Sequence, residues 1–187
     1  METAGYGHRS ASRLTAGGFT LVELLVSLAV ALILCVIAVE YLPRALQESR
    51  MVGEVNHFVT ALHLGRSEAI KHGRRVVLCP SIDLDNCGNS QDWPQGWILF
   101  ASEDREHDPG EPILQAAALM GSGIGLQSGN FRKRIVFQPD GSSGGSNSSF
   151  TFCEQRHRAR PRVICLSGTG RPRVTGSTCS KQPVVCP

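Results

Sequence analysis

The sequence lacks the residue patterns on which catalysis and metal binding usually depend. It has no C-x₂-C pair, and its six histidines are scattered without a carboxylate at useful spacing. The glycine-rich stretch 121–125 precedes no helical pattern, which argues against a nucleotide-binding loop. We therefore expect no enzymatic activity, no cofactor and no metal site.

A cluster of carboxylates in residues 102–111 is the one feature that suggests a cation. Carboxylate oxygens suit Ca²⁺, but the cluster lacks the spacing and the glycine of an EF-hand. A solvated acidic loop is the favoured interpretation. Its members are Glu103, Asp104, Glu106, Asp108 and Glu111.

Charge is almost missing from residues 19–39, an apolar run whose one charged residue is Glu23. At ~1.5 Å per residue an α-helix of this length spans the ~30 Å core of a bilayer. A secretory signal would have a shorter apolar core and a small-residue cleavage site after it. A carboxylate inside a membrane segment costs about 2.5–3.5 kcal/mol, which indicates a function for Glu23.

The start of this run resembles the prepilin signature of type IV pilins and type II secretion pseudopilins. Gly18 is followed by the aromatic Phe19, and Glu23 is the fifth residue of the run. The resemblance implies cleavage after Gly18 by a prepilin peptidase and N-methylation of Phe19. It also implies that Glu23 faces the Phe19 amine of a neighbouring subunit. The basic leader would stay cytoplasmic, which places the rest of the chain on the outer side of the inner membrane.

Six of the seven cysteines follow the apolar run and would lie in the oxidising periplasm, where disulfides persist. Their order in the chain suggests three local pairs, although six cysteines allow 15 connectivities and the sequence cannot choose among them. The expected pairs are Cys79–Cys87, Cys153–Cys165 and Cys179–Cys186.

The small net charge of +3 hides an uneven distribution. Residues 51–130 carry ten acidic and five basic side chains, whereas residues 131–187 carry two acidic and ten basic ones. Most of those ten are arginine, which suits bidentate phosphate contacts. This excess predicts a polyanionic partner, which is a nucleic acid, a lipid headgroup or an acidic protein surface.

Hydrophobic periodicity predicts a helix that continues from the apolar run to His72, with Gly73 as its left-handed cap and a bend at Pro43. Short β-type runs follow, and the polar loop 139–149 is expected to join two of them as a hairpin. The predicted strands are 75–79, 97–101, 113–115, 124–127, 135–138, 150–153, 163–166 and 172–175.

The order of several loose motifs resembles the GspH/FimT family of minor pilins. These are residues 66–71 before a strand that ends at Cys79, the Trp93–Trp97 segment, and the sequence V-F-Q-P-D-G at 136–141. The family implies an α+β, type IV pilin-like fold in which a long helix packs on an antiparallel β-sheet head. The implied segments are a leader (1–18), a transmembrane helix (19–42), an amphipathic helix (43–73) and a β-rich head (74–187).

Gly170-Arg171-Pro172-Arg173 resembles the G-R-x-R element of FimT-type minor pilins, which implies DNA binding during natural transformation. In an extended segment Arg171 and Arg173 point to the same side, about 6.5–7 Å apart, close to the phosphate spacing along one DNA strand. The competing interpretation is a solvated strand edge whose arginines deter aggregation.

Two further basic clusters are candidate DNA contacts. Four arginines at every second position would form a ladder if their segment is extended, or a solvated arm if it is a loop, and Pro161 disfavours a central strand. The candidates are Arg156, Arg158, Arg160 and Arg162 in the first cluster, and Arg132, Lys133 and Arg134 in the second.

The sequence thus predicts a minor pilin that assembles with other pilin subunits in a type IV pilus and binds DNA non-specifically through its basic C-terminal half. The alternative is a structural minor pilin or type II secretion pseudopilin that primes or caps a fibre without binding DNA.

Overall fold

A computed structural model describes residues 18–88, 93, 96–102, 113–118, 123–129, 132–145 and 147–186. One helix of 52 residues, α1 (Leu21–His72), forms the N-terminal part. Gly73 follows it with a φ of 61°, the left-handed conformation expected of its cap. The helix continues on both sides of Pro43, and the bend predicted there stays a prediction.

The chain divides into two compact units, residues 1–40 and residues 41–187. In the described part of the first unit the apolar side chains of α1 are exposed. Among the described residues α1 is the one helix long and apolar enough to cross a membrane, judged by length and composition. The finer division into four segments stays a prediction.

The described part of the second unit contains eight strands in two antiparallel sheets. The sequence predicted all eight, with ends that differ by a few residues. The first sheet has the order β3-β2-β1-β5 and the second the order β4-β6-β7-β8. The strands are β1 (Arg75–Pro80), β2 (Gly96–Ser102), β3 (Ile113–Ala118), β4 (Ile124–Ser128), β5 (Ile135–Phe137), β6 (Ser148–Glu154), β7 (Arg162–Leu166) and β8 (Pro172–Thr175).

The expected hairpin between β5 and β6 is wrong. β5 pairs with β1 in the first sheet, whereas β6 pairs with β4 and β7 in the second. The intervening segment is long enough to cross from one sheet to the other, and tight hairpins usually have loops of two to five residues. It therefore connects the sheets, which brings Gly141 and Ser143 against the β7–β8 turn of the second one.

The larger hydrophobic core among the described residues joins the helix to both sheets. Phe58 of α1 contacts Trp93, Trp97, Phe150 and Phe152, with ring centroids 5.0–6.0 Å apart. Both tryptophans are buried. Aromatic edge-to-face contacts of this kind stabilise the packing beyond area burial alone.

All six predicted cysteines form disulfides, but only the Cys79–Cys87 pairing was predicted correctly. The other two bridges are Cys153–Cys186 and Cys165–Cys179. Cys165 is paired in register with Ser149, four residues before Cys153. This places the Cys153 and Cys165 Cα atoms about 13 Å apart, beyond the ~7 Å limit for a disulfide. The C-terminal segment reaches each of them separately instead.

Some predictions fall on residues that the structure does not describe. These are the leader up to residue 17, the acidic loop from Glu103 to Glu111, and Gly121 with Ser122 in the glycine-rich stretch. Within the described ranges, no three or more histidine, cysteine, aspartate or glutamate side chains are grouped so as to hold a metal ion.

Candidate nucleic-acid interface

The turn between β7 and β8 carries Arg171 and is closed by local hydrogen bonds. Gly170 N donates to Ser167 O at 2.9 Å, and Ser167 N donates to Arg171 O at 3.2 Å. The Ser167 hydroxyl accepts from Arg171 N at 3.3 Å, and Gly170 has a φ of 72°. The left-handed glycine and the short polar residues are what a tight reversal requires.

The segment that crosses between the sheets supports this turn from the other side. Ser143 N donates to Gly168 O and the Ser143 hydroxyl donates to Ser167 O, both at 2.9 Å. Arg66 of α1 donates from Nε to Gly141 O at 3.0 Å. The turn is therefore fixed to the helix through the Gly141–Ser143 segment.

Arg171 and Arg173 project from one face of the strand edge. Arg173 of β8 pairs in register with Cys165, and the hydrogen bond from Ser167 N to Arg171 O continues this pairing to Arg171, which places both arginines on the same face. Both side chains are exposed, and neither guanidinium has an ion-pair partner among the described residues. The pair is free to meet a ligand from solvent.

A shallow groove of about 520 Å³ runs beside these two arginines. Asn147, Ser149 and Ser167 give it polar walls. Cys165 and Cys179 also line it, so their disulfide is part of the surface next to the arginines. The groove offers hydrogen-bonding groups as well as positive charge.

Arg132 reaches the same segment from another direction. Its Nη2 atom donates to Gly145 O at 2.9 Å, while its carbonyl oxygen accepts from Trp93 Nε1 at 3.0 Å. Lys133 is exposed and Arg134 is partly exposed. This cluster therefore belongs to the surroundings of the β7–β8 turn, although the Arg132 guanidinium already has one backbone partner.

The four alternating arginines do not form a ladder. Residues 155–161 are a loop between β6 and β7, and only Arg162 lies in a strand. Arg162 Nη2 lies 2.6 Å from Glu48 Oε1, and Arg160 N donates to Glu48 Oε2 at 2.9 Å. Pro161 and these contacts to α1 explain why the extended alternative fails.

Arg162 is consequently an ion-pair partner within the head and not a free cation. Its guanidinium, aided by the Arg160 amide, holds the pKa of the Glu48 carboxyl below its ordinary value. Arg156, Arg158 and Arg160 keep exposed side chains in the loop.

The structure thus separates the basic half of the sequence into two clusters. Arg66 of α1 contacts the segment that supports the β7–β8 turn, and Glu48 of α1 contacts Arg162 next to the β6–β7 loop. At 1.5 Å per residue these helix positions lie about 27 Å apart. Sequence spacing gave no sign of this separation.

Sequence reasoning missed the residues that support the turn, namely Gly141, Ser143 and the Arg66 contact. The only signal was the loop composition of residues 139–149, which indicated a turn without its contacts. Glu48 was missed as well, because an acidic residue on an exposed helix face usually has no specific partner.

At the N-terminal end, Phe19 is exposed and Glu23 lies in the first turn of α1. The Thr20 hydroxyl accepts from Glu23 N at 3.3 Å, as an N-cap residue does. An acidic residue in the first turn also stabilises the positive end of the helix dipole. Cleavage after Gly18 and methylation of Phe19 stay predictions.

Comparison with known proteins agrees with this architecture. Residues 54–170 match the model of the family described as type II transport protein GspH, and residues 13–39 match the prokaryotic N-terminal methylation motif. Arg171 and Arg173 lie directly beyond the GspH match. No match was found among curated proteins.

Two crystal structures of the type IV minor pilin FimU from Pseudomonas aeruginosa share the fold. The first has a TM-score of 0.55 at 16% identity and covers 69% of this chain and 90% of that chain. The second has a TM-score of 0.51 at 18% identity and covers 64% and 88%, respectively. The chain belongs to the GspH family and is a type IV pilin of the GspH/FimT type with an N-terminal methylation motif.

Proposed function

We propose that this pilin is a minor subunit of a type IV pilus that binds DNA without sequence specificity for uptake during natural transformation. Family membership supports the coarser role of a minor pilin or pseudopilin that assembles with other pilins. The observation that carries the DNA proposal is the exposed pair Arg171 and Arg173 on one face of a fixed hairpin.

The spacing of this pair favours a phosphate backbone as its ligand. Two arginines at alternate strand positions stand about 6.5–7 Å apart and can contact successive phosphates of one strand. No carboxylate of the described residues competes for either guanidinium. Because hydrogen bonds fix the backbone of the turn before binding, less conformational entropy is lost on contact.

Supporting contacts come from Arg132, Lys133 and Arg134, which lie near the β7–β8 turn. Lys133 and Arg134 follow Arg132, whose side chain touches the segment beside the turn. Their charge widens the positive field around the Arg171 pair, which speeds encounter with DNA. The arginines of the β6–β7 loop lie at the other end of the head. A DNA molecule bound at the β7–β8 turn would reach them only if it is long or curved.

The N-terminal segment supplies the assembly function in this proposal. A prepilin peptidase cleaves after Gly18, Phe19 is methylated, and α1 holds the chain in the inner membrane until incorporation into the fibre. Glu23 then favours registered packing against the N-terminal amine of a neighbouring subunit. The N-terminal methylation motif at residues 13–39 supports this sequence of events.

Binding of the head, residues 41–187 with disulfides formed, to short duplex DNA across a salt series tests the proposal. The variant R171A/R173A should weaken binding to every sequence, and the slope of log K against log salt should fall by about 1.8 because two phosphate contacts are lost. The matched control R44A/R50A removes equal charge from exposed positions of α1 and should keep the slope. An unchanged slope in R171A/R173A contradicts the site.

The second candidate is a structural minor pilin or pseudopilin in which the basic surface meets an acidic partner subunit. The match to the GspH model favours it, because that model is described as a type II transport protein. If the wild-type head fails to bind DNA at low salt, the DNA-binding function is rejected and the structural function is retained. Pull-down of partner pilins that depends on Arg171 and Arg173 would then support it.

A further inference from the structure

The β6–β7 loop forms a second basic surface for which the DNA proposal has no clear use. Arg156, Arg158 and Arg160 are exposed there, and the loop is held to α1 by Glu48. The chain enters the head at Tyr41, so Glu48 lies close to the entry point along the helix. The loop is therefore at the end of the head where the chain arrives from the apolar segment.

Covalent connection limits how far this loop lies from the end of the apolar run. Val39 is the last residue of that run, and even a fully extended chain from Val39 to Glu48 spans no more than about 32 Å. The same bound is about three times larger, about 97 Å, for Arg66, which contacts the segment that supports the turn of Arg171.

Apolar residues accompany the arginines of the loop. The C-terminal segment passes beside it, and Val185 is 87% exposed. An open cavity of about 450 Å³ is lined by Arg158, Arg160, Val184 and Val185. Glu154 also lines it, but its carboxylate is buried and accepts a hydrogen bond from Arg158 N.

Arginines around an exposed aliphatic side chain are the combination that binds the headgroup region of a membrane. Arginine interacts with phosphate oxygens, and apolar side chains enter the boundary between headgroups and acyl chains. Basic residues that flank a membrane span are attracted to anionic lipid within a Debye length of the surface.

We propose that the β6–β7 loop binds the phosphate headgroups of anionic phospholipid while the chain is anchored in the membrane. Arg156, Arg158 and Arg160 contact the headgroups, and Val185 enters the interface beside them. The hydrogen bond from the Arg160 amide to the Glu48 carboxylate keeps the loop at the end of the head where the chain enters at Tyr41. This contact holds the head against the bilayer before assembly and leaves the β7–β8 turn on the opposite end free.

The test uses the mature full chain in lipid nanodiscs and phenylglyoxal, an uncharged reagent that modifies arginine. Mass spectrometry gives the modification rate at each arginine. In discs with anionic phosphatidylglycerol, the rates at Arg156, Arg158 and Arg160 should be at least about threefold lower than in neutral phosphatidylcholine discs. The difference should vanish at about 0.5 M salt.

Arg171 and Arg173 in the same molecules are the internal control, and their rates should not depend on lipid charge. The variant V185D should lose part of the protection at Arg158, whereas V174D, at another exposed valine on β8, should keep it. Equal rates in both disc types, or equal slowing at both clusters, would overturn the proposal.

DNA is the competing ligand for the loop. Protection of the loop arginines by duplex DNA in neutral discs, without protection by anionic lipid, would assign the loop to DNA and overturn the lipid proposal. Lipid-dependent protection of the loop in a protein that fails to bind DNA would uphold it and reject only the DNA function. The two proposals therefore fail independently.

Discussion

Gly170 lies so close to Gly141 that a Cβ on Gly170 would overlap the Gly141 carbonyl oxygen. The same oxygen accepts the hydrogen bond from Arg66 Nε. This contact joins the turn that carries Arg171, the segment between the two sheets, and the helix. It explains physically why a glycine precedes the arginine pair.

Replacing Gly170 by alanine should destabilise the head by about 2–4 kcal/mol. The φ of 72° alone costs a side chain about 1–2 kcal/mol, and the overlap with Gly141 adds to it. Thermal or urea unfolding gives the value. Gly73→Ala is the control, since Gly73 has a similar φ of 61° and open space around its Cα, and should cost only the conformational part. Equal losses in both variants would contradict the close approach.

Peptide mapping under non-reducing conditions should recover one fragment that links Cys153 to Cys186 and another that links Cys165 to Cys179. Removing the second bridge with C165S/C179S should lower the free energy of unfolding by about 3 kcal/mol, because the loop it closes is short. It should also weaken DNA binding, since that bridge lines the groove beside Arg171. Fragments that link Cys153 to Cys165 would contradict the structure.

Glu48→Gln should destabilise the head at neutral pH by about 0.5–1 kcal/mol, the range for a partly exposed ion pair. The Arg162 contact lowers the pKa of the Glu48 carboxyl below its ordinary value of 4.5. The ion pair therefore stabilises the fold above pH 4.5, and this contribution is lost as the pH falls through the lowered value. Unfolding of both proteins from pH 7 to pH 3 measures it, and a difference that stays constant with pH would contradict the assignment.

Glu54→Gln should raise the free energy of unfolding at neutral pH, whereas Glu48→Gln lowers it. Burial raises the pKa of the Glu54 carboxyl, and His57 offsets this only in part. The stability that the protonated acid gives is full below pH 4.5 and is lost as the pH rises through the raised value. Glutamine stays neutral and avoids the cost of a buried charge, so the variant should melt at a higher temperature than wild type at pH 7. The two melting temperatures should converge near pH 4, and a variant less stable than wild type at pH 7 would refute the burial argument.

Glu23→Val should insert into the membrane normally but enter fibres several-fold less often, having lost the charge that favours registered packing. Membrane fractionation and immunoblotting of sheared fibres give the two amounts. Ser27→Val is the matched control, because it removes a polar group from the next turn of α1 without changing charge. Normal incorporation of Glu23→Val would reject the assembly role.

Local physics was enough to predict the long helix, its glycine cap and all eight strands. Apolar periodicity and turn residues act over a few positions, so the sequence displays them directly. The pairing of the strands could not be predicted in this way. The loop before β6 has the composition of a hairpin turn, yet β5 and β6 lie in different sheets, because strand choice depends on long-range packing.

The candidate site divides in the same way. Residue type and order alone indicated the membrane-type helix with Glu23, the use of the six cysteines in bridges, and the excess of arginine in the C-terminal half. Folding was needed to establish which cysteines meet, that Arg162 is bound to Glu48, and that the arginines form two clusters at opposite ends of the head. These depend on strand register and on contacts between residues distant in the chain, which residue spacing does not encode.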